Sequence, residues 1–494
     1  MVSSRKNSRA TEIDSGAASN WKKYAHYDLE IDPEQDDKAT EIRLCSFSRP
    51  HMRAFHCSWW GFFIAFFIWF AIVPLLSEIR EDLDITKREI WNSTIANFAA
   101  VIFVRLILGP LCDKFGSRVL FAVVLCIAAI PAACTGVIQN ARDLIILRVF
   151  IGIAGGSFIM CQYWSTSMFT KEVVGTANAL TAGWGNLGAG VTQLIVGSFL
   201  FPLFKAIFSG TDNPSEYAWR YVSLVPAIVA FITGVVIYFI SDDYPKGNTH
   251  ELLKNGAKHE VQITTAFAAA CSNPATWLLF IQYACCFGVE LAMNSASALY
   301  FKDEFGVSTE SAAAIASIFG WMNLFARGVG GFISDHANAR YGMRGRLYTQ
   351  AIMLAMEGAL VLIFASSTSL AGGIITLVCF SLFVQAAEGS TYGIVPYVEK
   401  RYDGAVCGIV GAGGNVGAVI FSVMFREFDY HKAFTWMGIS VMCSSVVTAL
   451  IWIRGETTMF CGHESAVHSI VDDEDLENEV EALRKVDSSE MDDH

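Results

Sequence analysis

The sequence predicts an all-α integral membrane protein whose twelve transmembrane helices form two pseudo-symmetric six-helix bundles. Three observations carry that expectation. The 494-residue chain is 53% hydrophobic and only 17% charged, with a mean hydropathy of +0.42, whereas a soluble domain carries about 25% charged residues. Apolar runs of about 17–25 residues, long enough to cross a hydrocarbon core, recur along almost the whole chain. Two motifs of the first half also return at the equivalent helices of the second. A soluble enzyme does not fit this pattern.

In chain order the runs fall near 58–77, 93–112, 118–138, 144–168, 173–201, 221–241, 275–300, 311–333, 348–367, 371–396, 403–425 and 435–454. The stretch 1–57 is polar and mixed in sign, without the apolar core of a signal peptide, so the first span is expected to direct insertion. The second span carries Arg105, Gly109 and Asp113 at offsets of zero, four and eight. The run Gly109-Pro110-Leu111-Cys112-Asp113-Lys114-Phe115-Gly116-Ser117-Arg118 joins it to the third. The fourth contains Arg148-Val149-Phe150-Ile151-Gly152, and the fifth, with Gly185-Asn186-Leu187-Gly188-Ala189, is long enough to tilt or to leave the bilayer. Segment 242–273 is the only long polar interruption and divides a bundle at 58–241 from one at 274–455. The eighth span then repeats the second with Arg327, Gly331 and Asp335, and the eleventh repeats the fifth with Gly414-Asn415-Val416-Gly417-Ala418. Such a repeat predicts a transporter with its substrate near the midplane between the halves.

The net charge of −12 belongs mostly to the tails, above all to the acidic segment 456–494. That is a solvated tail and gives no footing to nucleic acid. Twelve spans put both tails on one side. Short-loop Lys/Arg counts are balanced, but Arg49, Arg53, Arg454 and the linker's Lys246, Lys254 and Lys258 tip them towards cytoplasmic tails, with Lys400 and Arg401 also on that side. The sequon Asn92-Ser93-Thr94 then faces outward, close to the bilayer. Most of the thirteen cysteines lie in or beside apolar segments without metal-ligand spacing and read as small buried hydrophobes. No histidine falls inside a span, so neither a metal nor a cofactor is expected there.

An arginine at mid-bilayer costs roughly 2.5–3.5 kcal/mol or more, so Arg105 and Arg327 at matched depths demand compensation. One reading is an anion clamp, since two planar, permanently charged forks can grip a small planar oxyanion. The other is that each snorkels or pairs with a buried carboxylate. Asn186 and Asn415 could offer amide donors to a substrate or tie helices together. The glycines beside them, Gly185, Gly188, Gly414 and Gly417, allow close helix approach and sliding, while Gly109, Asp113, Arg118, Gly331 and Asp335 mark conformational hinges. Glu290, Glu357 and Glu388 are the carboxyls inside spans seven, nine and ten, each either protonated or paired with an arginine.

The run from Gly109 to Arg118 matches the loop motif of the major facilitator superfamily, and Arg148 to Gly152 fits its R-x-x-x-G element. With the two glycine-asparagine signatures and the two arginines, the chain resembles the nitrate/nitrite porter family, specifically its eukaryotic high-affinity nitrate transporters. The resemblance covers the twelve spans but not the tails, and the linker is short beside the fungal branch's long central loop. It implies the major facilitator fold, nitrate held by Arg105 and Arg327, Asn186 and Asn415 in the same cavity, and walls from Tyr283 and from aromatics of helices one and four. For those walls Phe62, Phe63, Phe66, Phe67, Phe158, Tyr163 and Trp164 all remain open.

The expected function is import of nitrate, with nitrite as a second substrate, across the plasma membrane by proton symport and alternating access. Glu388 is the first candidate for the proton and Glu290 the next. Two alternatives stand beside it: a nitrate/nitrite exchanger, which needs no proton site, and a nitrate sensor using its tail as output. Expected partners are nitrate, nitrite, protons, the lipid bilayer and, as in plant and green-algal relatives, a single-span accessory subunit. An enzyme is not expected, since no nucleophile-base pair, metal cluster or phosphate loop appears.

Overall fold

A computed structural model describes residues 23–24, 26–256, 263–307, 309–399, 402–454 and 456–460. The acidic tail beyond residue 460, and Lys258, Lys400 and Arg401, lie outside the described residues. Twelve helices are long and apolar enough to cross a membrane. They are α1 His51–Asp82, α2 Lys87–Phe115, α3 Ser117–Val137, α4 Ala141–Met168, α5 Val174–Ile207, α6 Pro214–Ile240, α7 Pro274–Phe305, α8 Ser311–Tyr341, α9 Met343–Ala365, α10 Leu370–Tyr397, α11 Asp403–Glu427 and α12 Tyr430–Leu450.

Local chemistry sets many of the ends. Thr86 and Glu89 form a capping box on α2, and Asn140, Asn213, Ser369 and Asp429 cap α4, α6, α10 and α12 through side-chain oxygens. Gly116, at φ +81°, stops α2 in a backbone region that disfavours other residues. Several helices are broken where the sequence permits it. Pro74 lies in a 3-10 turn of α1, glycines open Gly152–Gly156 of α4 into a 3-10 stretch, and Gln193–Leu200 of α5 is a π-helix.

The bundles pack by one rule applied twice. Helix α5 lies on α1 as α11 lies on α7, α3 on α6 as α9 on α12, and α2 meets α11 across the divide as α8 meets α5. The glycines obey the same symmetry. Gly188 faces the Phe63 carbonyl on α1 and Gly417 the Ala284 carbonyl on α7, each so closely that no side chain would fit. Gly185 and Gly414 make room for Phe62 and Phe287. All four therefore pack within a bundle, not across the interface where sliding occurs. Close cross-bundle contacts include Gly109 against Gly404 and Gly408, Gly331 against Gly175 and Ala179, and Gly190 against Gly320.

Polarity is distributed as lipid requires: Phe239 (73% exposed) and Val446 (71%) point outward, while Arg105, Arg148, Arg327, Glu290, Glu357 and Glu388 are inside. The sequon is enclosed too. Arg148 Nη1 donates to Ser93 Oγ and Thr94 Oγ1, both at 2.8 Å, and Arg426 Nη1 donates to Asn92 Oδ1 at 2.9 Å.

Polar contacts bridge the two bundles at both ends of the interface. On the tail side Asp335 of α8 reaches the first turn of α5, accepting from Thr176 N and Oγ1 at 2.6 Å, where the helix dipole favours a carboxylate. Its other oxygen takes Arg346 Nη1 at 2.7 Å. Asp113 occupies the equivalent place, its Oδ1 2.8 Å from where a Cβ on Gly404 of α11 would stand. Arg118 turns to a different acid, donating through its backbone N–H to Asp243 Oδ1 at 2.9 Å. On the opposite side Lys87 of α2 pairs with Asp303 of α7 at 2.5 Å.

The described part of the segment before α1 packs against the helices rather than standing off in solvent. It forms a small hairpin, Ile31–Asp32 with Lys38–Ala39, strapped across the tail side. Lys23 Nζ (2.8 Å), Tyr24 Oη (2.7 Å) and Arg49 Nε (3.3 Å) converge on buried Asp242, and Thr170 N donates to the Ala39 carbonyl at 3.0 Å. With that anchorage α1 begins at His51, seven residues before the apolar run at 58.

Candidate anion site

Arg105 and Arg327 meet in the middle of the molecule, both with no solvent exposure. Each guanidinium carbon lies 4.9–5.9 Å from the ring centroids of Phe158 and Phe287. Those two rings are themselves stacked, 5.5 Å apart at 21°. Ring faces attract a desolvated cation, worth about 2 kcal/mol at a dry site. Tyr283 and Tyr392 complete the wall, packed edge to face with centroids 5.1 Å apart.

The two arginines are matched in depth but not in partners. Arg105 donates from Nε to the Gly155 carbonyl (3.0 Å) and from Nη1 to the Gly411 carbonyl (2.6 Å). The first acceptor is offered by the 3-10 stretch of α4. With its amide turned so that oxygen faces the cation, Asn415 Oδ1 also accepts from Arg105 Nε at 3.0 Å and Nη1 at 3.1 Å. Among the described residues no carboxylate pairs with Arg105, and its Nη2 has no partner.

Arg327 is bound by acids. Its Nη1 donates to Glu388 Oε2 of α10 and lies 3.8 Å from Glu290 Oε2 of α7, while Nη2 donates to Tyr283 Oη at 2.9 Å. Asn186 belongs to this cluster, donating from Nδ2 to Glu290 Oε2 at 2.9 Å and to Glu388 Oε2 at 3.5 Å. Asn323, in the 3-10 break before Arg327, donates to Glu290 Oε1 at 2.7 Å. The matched asparagines thus part ways, because the two acids have no counterparts beside Arg105. Arg327 Nε, Glu388 Oε1 and Asn186 Oδ1 have no partner among the described residues.

Arg105, Arg327, Asn186, Asn415, Tyr283, Glu290 and Glu388 are therefore brought together, and Phe158 is the helix-four aromatic that joins them. Tyr163 and Trp164 turn to the tail side, to Tyr244 Oη at 2.8 Å and the Asp242 carbonyl at 2.9 Å. Of the helix-one aromatics, Phe62 touches the wall, its ring 5.6 Å from Phe158. Phe287, Tyr392 and Asn323 were not singled out by sequence. Phe287 stands one turn from Tyr283, and that spacing could have marked it.

Chemically the arrangement offers a fork with an idle donor on one side, a second fork held by a displaceable carboxylate on the other, and flat aromatic faces between. That suits a small planar anion, which could accept in-plane hydrogen bonds while its faces meet rings. The cations make the site attractive to an anion once Glu388 no longer neutralises Arg327.

Comparison with known proteins bears on the family and the fold. Residues 58–422 match the Major Facilitator Superfamily. The chain is 37% identical to "High affinity nitrate transporter 2.5" of Arabidopsis thaliana, over 88% of this chain and 86% of that protein. It is 34% identical to "Nitrate transporter 2.2" of Chlamydomonas reinhardtii, again over 88% and 86%. It is 28% identical to the nitrate/nitrite transporter NrtP of Picosynechococcus, over 74% and 83%. Among solved structures, the human organic anion transporter MFSD10 superposes with a TM-score of 0.58 at 12% identity, over 81% of this chain and 99% of that one. A bacterial Spinster homologue in an inward-facing state gives 0.57 at 15%, over 82% and 96%. These two likenesses speak for the fold. The chain is thus a multi-pass membrane transporter, not an enzyme, and belongs to the nitrate/nitrite porter family of the major facilitator superfamily.

Proposed function

We propose that this transporter imports nitrate, with nitrite as a second substrate, by proton symport and alternating access. It works in the plasma membrane with both termini in the cytoplasm. The named activities of its relatives support the substrate. The observation that carries the coupling is the grip of Glu388 on Arg327. While Glu388 is ionised it occupies the donors that an anion needs. A proton on Glu388 neutralises it, releases Arg327 and leaves two cations facing nitrate, so proton and anion load together.

The energetics favour that order. Moving one negative charge into a negative cell costs about 2.3 kcal/mol per 100 mV, whereas two accompanying protons make the moving charge positive and reverse the sign. Glu290, held by Asn186 and Asn323, positions Asn186 and keeps a second negative charge near Arg327. Asp335 on the first turn of α5, and Lys87 with Asp303 on the opposite side, are the contacts that break alternately as the bundles rock.

The test is nitrate binding to the purified protein across pH. Wild type is expected to bind more tightly as pH falls, and Glu388→Gln to bind with an affinity that no longer follows pH. Unchanged pH dependence in E388Q removes Glu388 from the coupling. Nitrate uptake that persists only as exchange, with the pH gradient collapsed, would transfer the assignment to an exchanger.

A further inference from the structure

The central site accounts for one proton, and the bundle interior holds another carboxyl that it does not use. Glu357 of α9 has no solvent exposure, and neither of its oxygens has a hydrogen-bond partner among the described residues. An ionised carboxylate so placed would be severely penalised, and even a neutral one wants a partner.

Its position follows from the register of α9 on α10. Gln350 Nε2 donates to Thr391 Oγ1 at 2.8 Å, and Ser390 Oγ donates to Gln350 Oε1. The helices are antiparallel, so Glu357, two turns along α9 from Gln350, stands level with Gln385, six residues back along α10 from Thr391. Gln385 is also fully buried, and neither its oxygen nor its nitrogen has a partner among the described residues. It lies three residues from Glu388 on the same side of α10, about 4.5 Å along the axis. Glu388 Oε1 is likewise without a partner. Three buried polar side chains with idle atoms thus lie at similar depth in the second bundle, and the Glu357 and Glu388 carboxyls are near enough for their charges to interact.

The groups facing Glu357 from its neighbours are few. Helix α7 brings Cys285 and Cys286, and α10 brings Glu388. Among the described residues none forms an ion pair with Glu357.

We propose that Glu357 is a second proton-loading carboxyl of the transport cycle, acting beside Glu388. The inference rests on the proton-symport reading above. A proton from water bonds to a Glu357 oxygen when the pathway is open to one side, and that O–H bond breaks to water on the other. With Glu357 and Glu388 both loaded, one nitrate travels with two protons and the net moving charge is positive.

The experiment pairs tracer nitrate uptake with current in the same voltage-clamped oocytes expressing the full chain. Wild type is expected to move one positive charge per nitrate. Glu357→Gln should move none while still taking up nitrate under an inward pH gradient, and Glu357→Asp, which keeps a carboxyl, should restore the charge. A wild-type ratio in E357Q, or no net charge in wild type, overturns the proposal. Should E357Q fail to reach the surface, proton uptake on nitrate binding to the detergent-purified variant decides: a fall of one proton per nitrate supports it, and no change overturns it. E388Q run in parallel separates the two readings. If E388Q loses pH-dependent binding while E357Q keeps the wild-type ratio, Glu357 alone is wrong. If E388Q keeps pH-dependent binding, the Glu388 coupling itself has failed.

Discussion

Replacing Arg105 by lysine keeps its charge and removes its shape, and so separates two contributions to anion binding. In the structure Nε and Nη1 are spent on the Gly155 and Gly411 carbonyls and on Asn415, leaving Nη2 as the donor for a ligand. A lysine ammonium presents three donors from one nitrogen and can satisfy the two carbonyls, but it cannot also extend a fork towards the anion. The loss is one hydrogen bond between charged partners, about 1.5–3 kcal/mol, or roughly a 10- to 150-fold rise in Kd for nitrate. Equilibrium binding to purified Arg105→Lys measures this directly. Thermal stability should change little, because the cation over Phe158 and Phe287 is retained. Nitrate affinity within twofold of wild type would refute the assignment of Nη2 to the anion.

Other perturbations test the surrounding scaffold. Gly331→Val drives a side chain into Ala179 and the Gly175 carbonyl across the interface, an overpacking of about 1–3 kcal/mol. Spin-label distances on the tail side should then lengthen. Asp242→Asn weakens the anchorage of Lys23, Tyr24 and Arg49, and each of these partly exposed partners should contribute no more than about 1 kcal/mol. Faster proteolysis within residues 23–50 is expected, with nitrate binding intact. Burial pushes the Asp243 carboxyl above the ordinary carboxylate range despite Arg118 beside it. Its folded state thus favours the proton, and the stability it contributes is full below the ordinary range and lost as pH rises through the raised value. Asp243→Asn should remove that fall, so melting temperatures of the variant between mildly acidic and neutral pH should change less than those of wild type.

Much of the architecture is legible in the sequence because hydrocarbon length and charge avoidance constrain every span. The twelve runs and the matched Arg105 and Arg327 follow from those constraints alone. What spacing cannot express is partnership between helices. Nothing along the chain says that Glu290 and Glu388 both turn to Arg327, or that Asn186 follows them while Asn415 stays with Arg105. The choice of Phe158 over its neighbours depends on how α4 turns after its 3-10 stretch. Asn323 escapes notice because it sits in a break of α8, outside any repeating motif. The glycines beside the asparagines have the spacing for close approach, but only packing reveals that they face α1 and α7 within each bundle. The start of α1 at His51 reflects the strap on Asp242, a contact more than 180 residues away in sequence.

The central claim is that an anion replaces Glu388 on Arg327 and shares Arg105. The most direct measurement is a high-resolution structure of the purified protein in saturating nitrate at mildly acidic pH. Planar density bridging Arg105 Nη2 and Arg327, with Glu388 withdrawn from the guanidinium, is the predicted result. Nitrate bound elsewhere, or bound while the Arg327–Glu388 pair stays intact, would contradict the account.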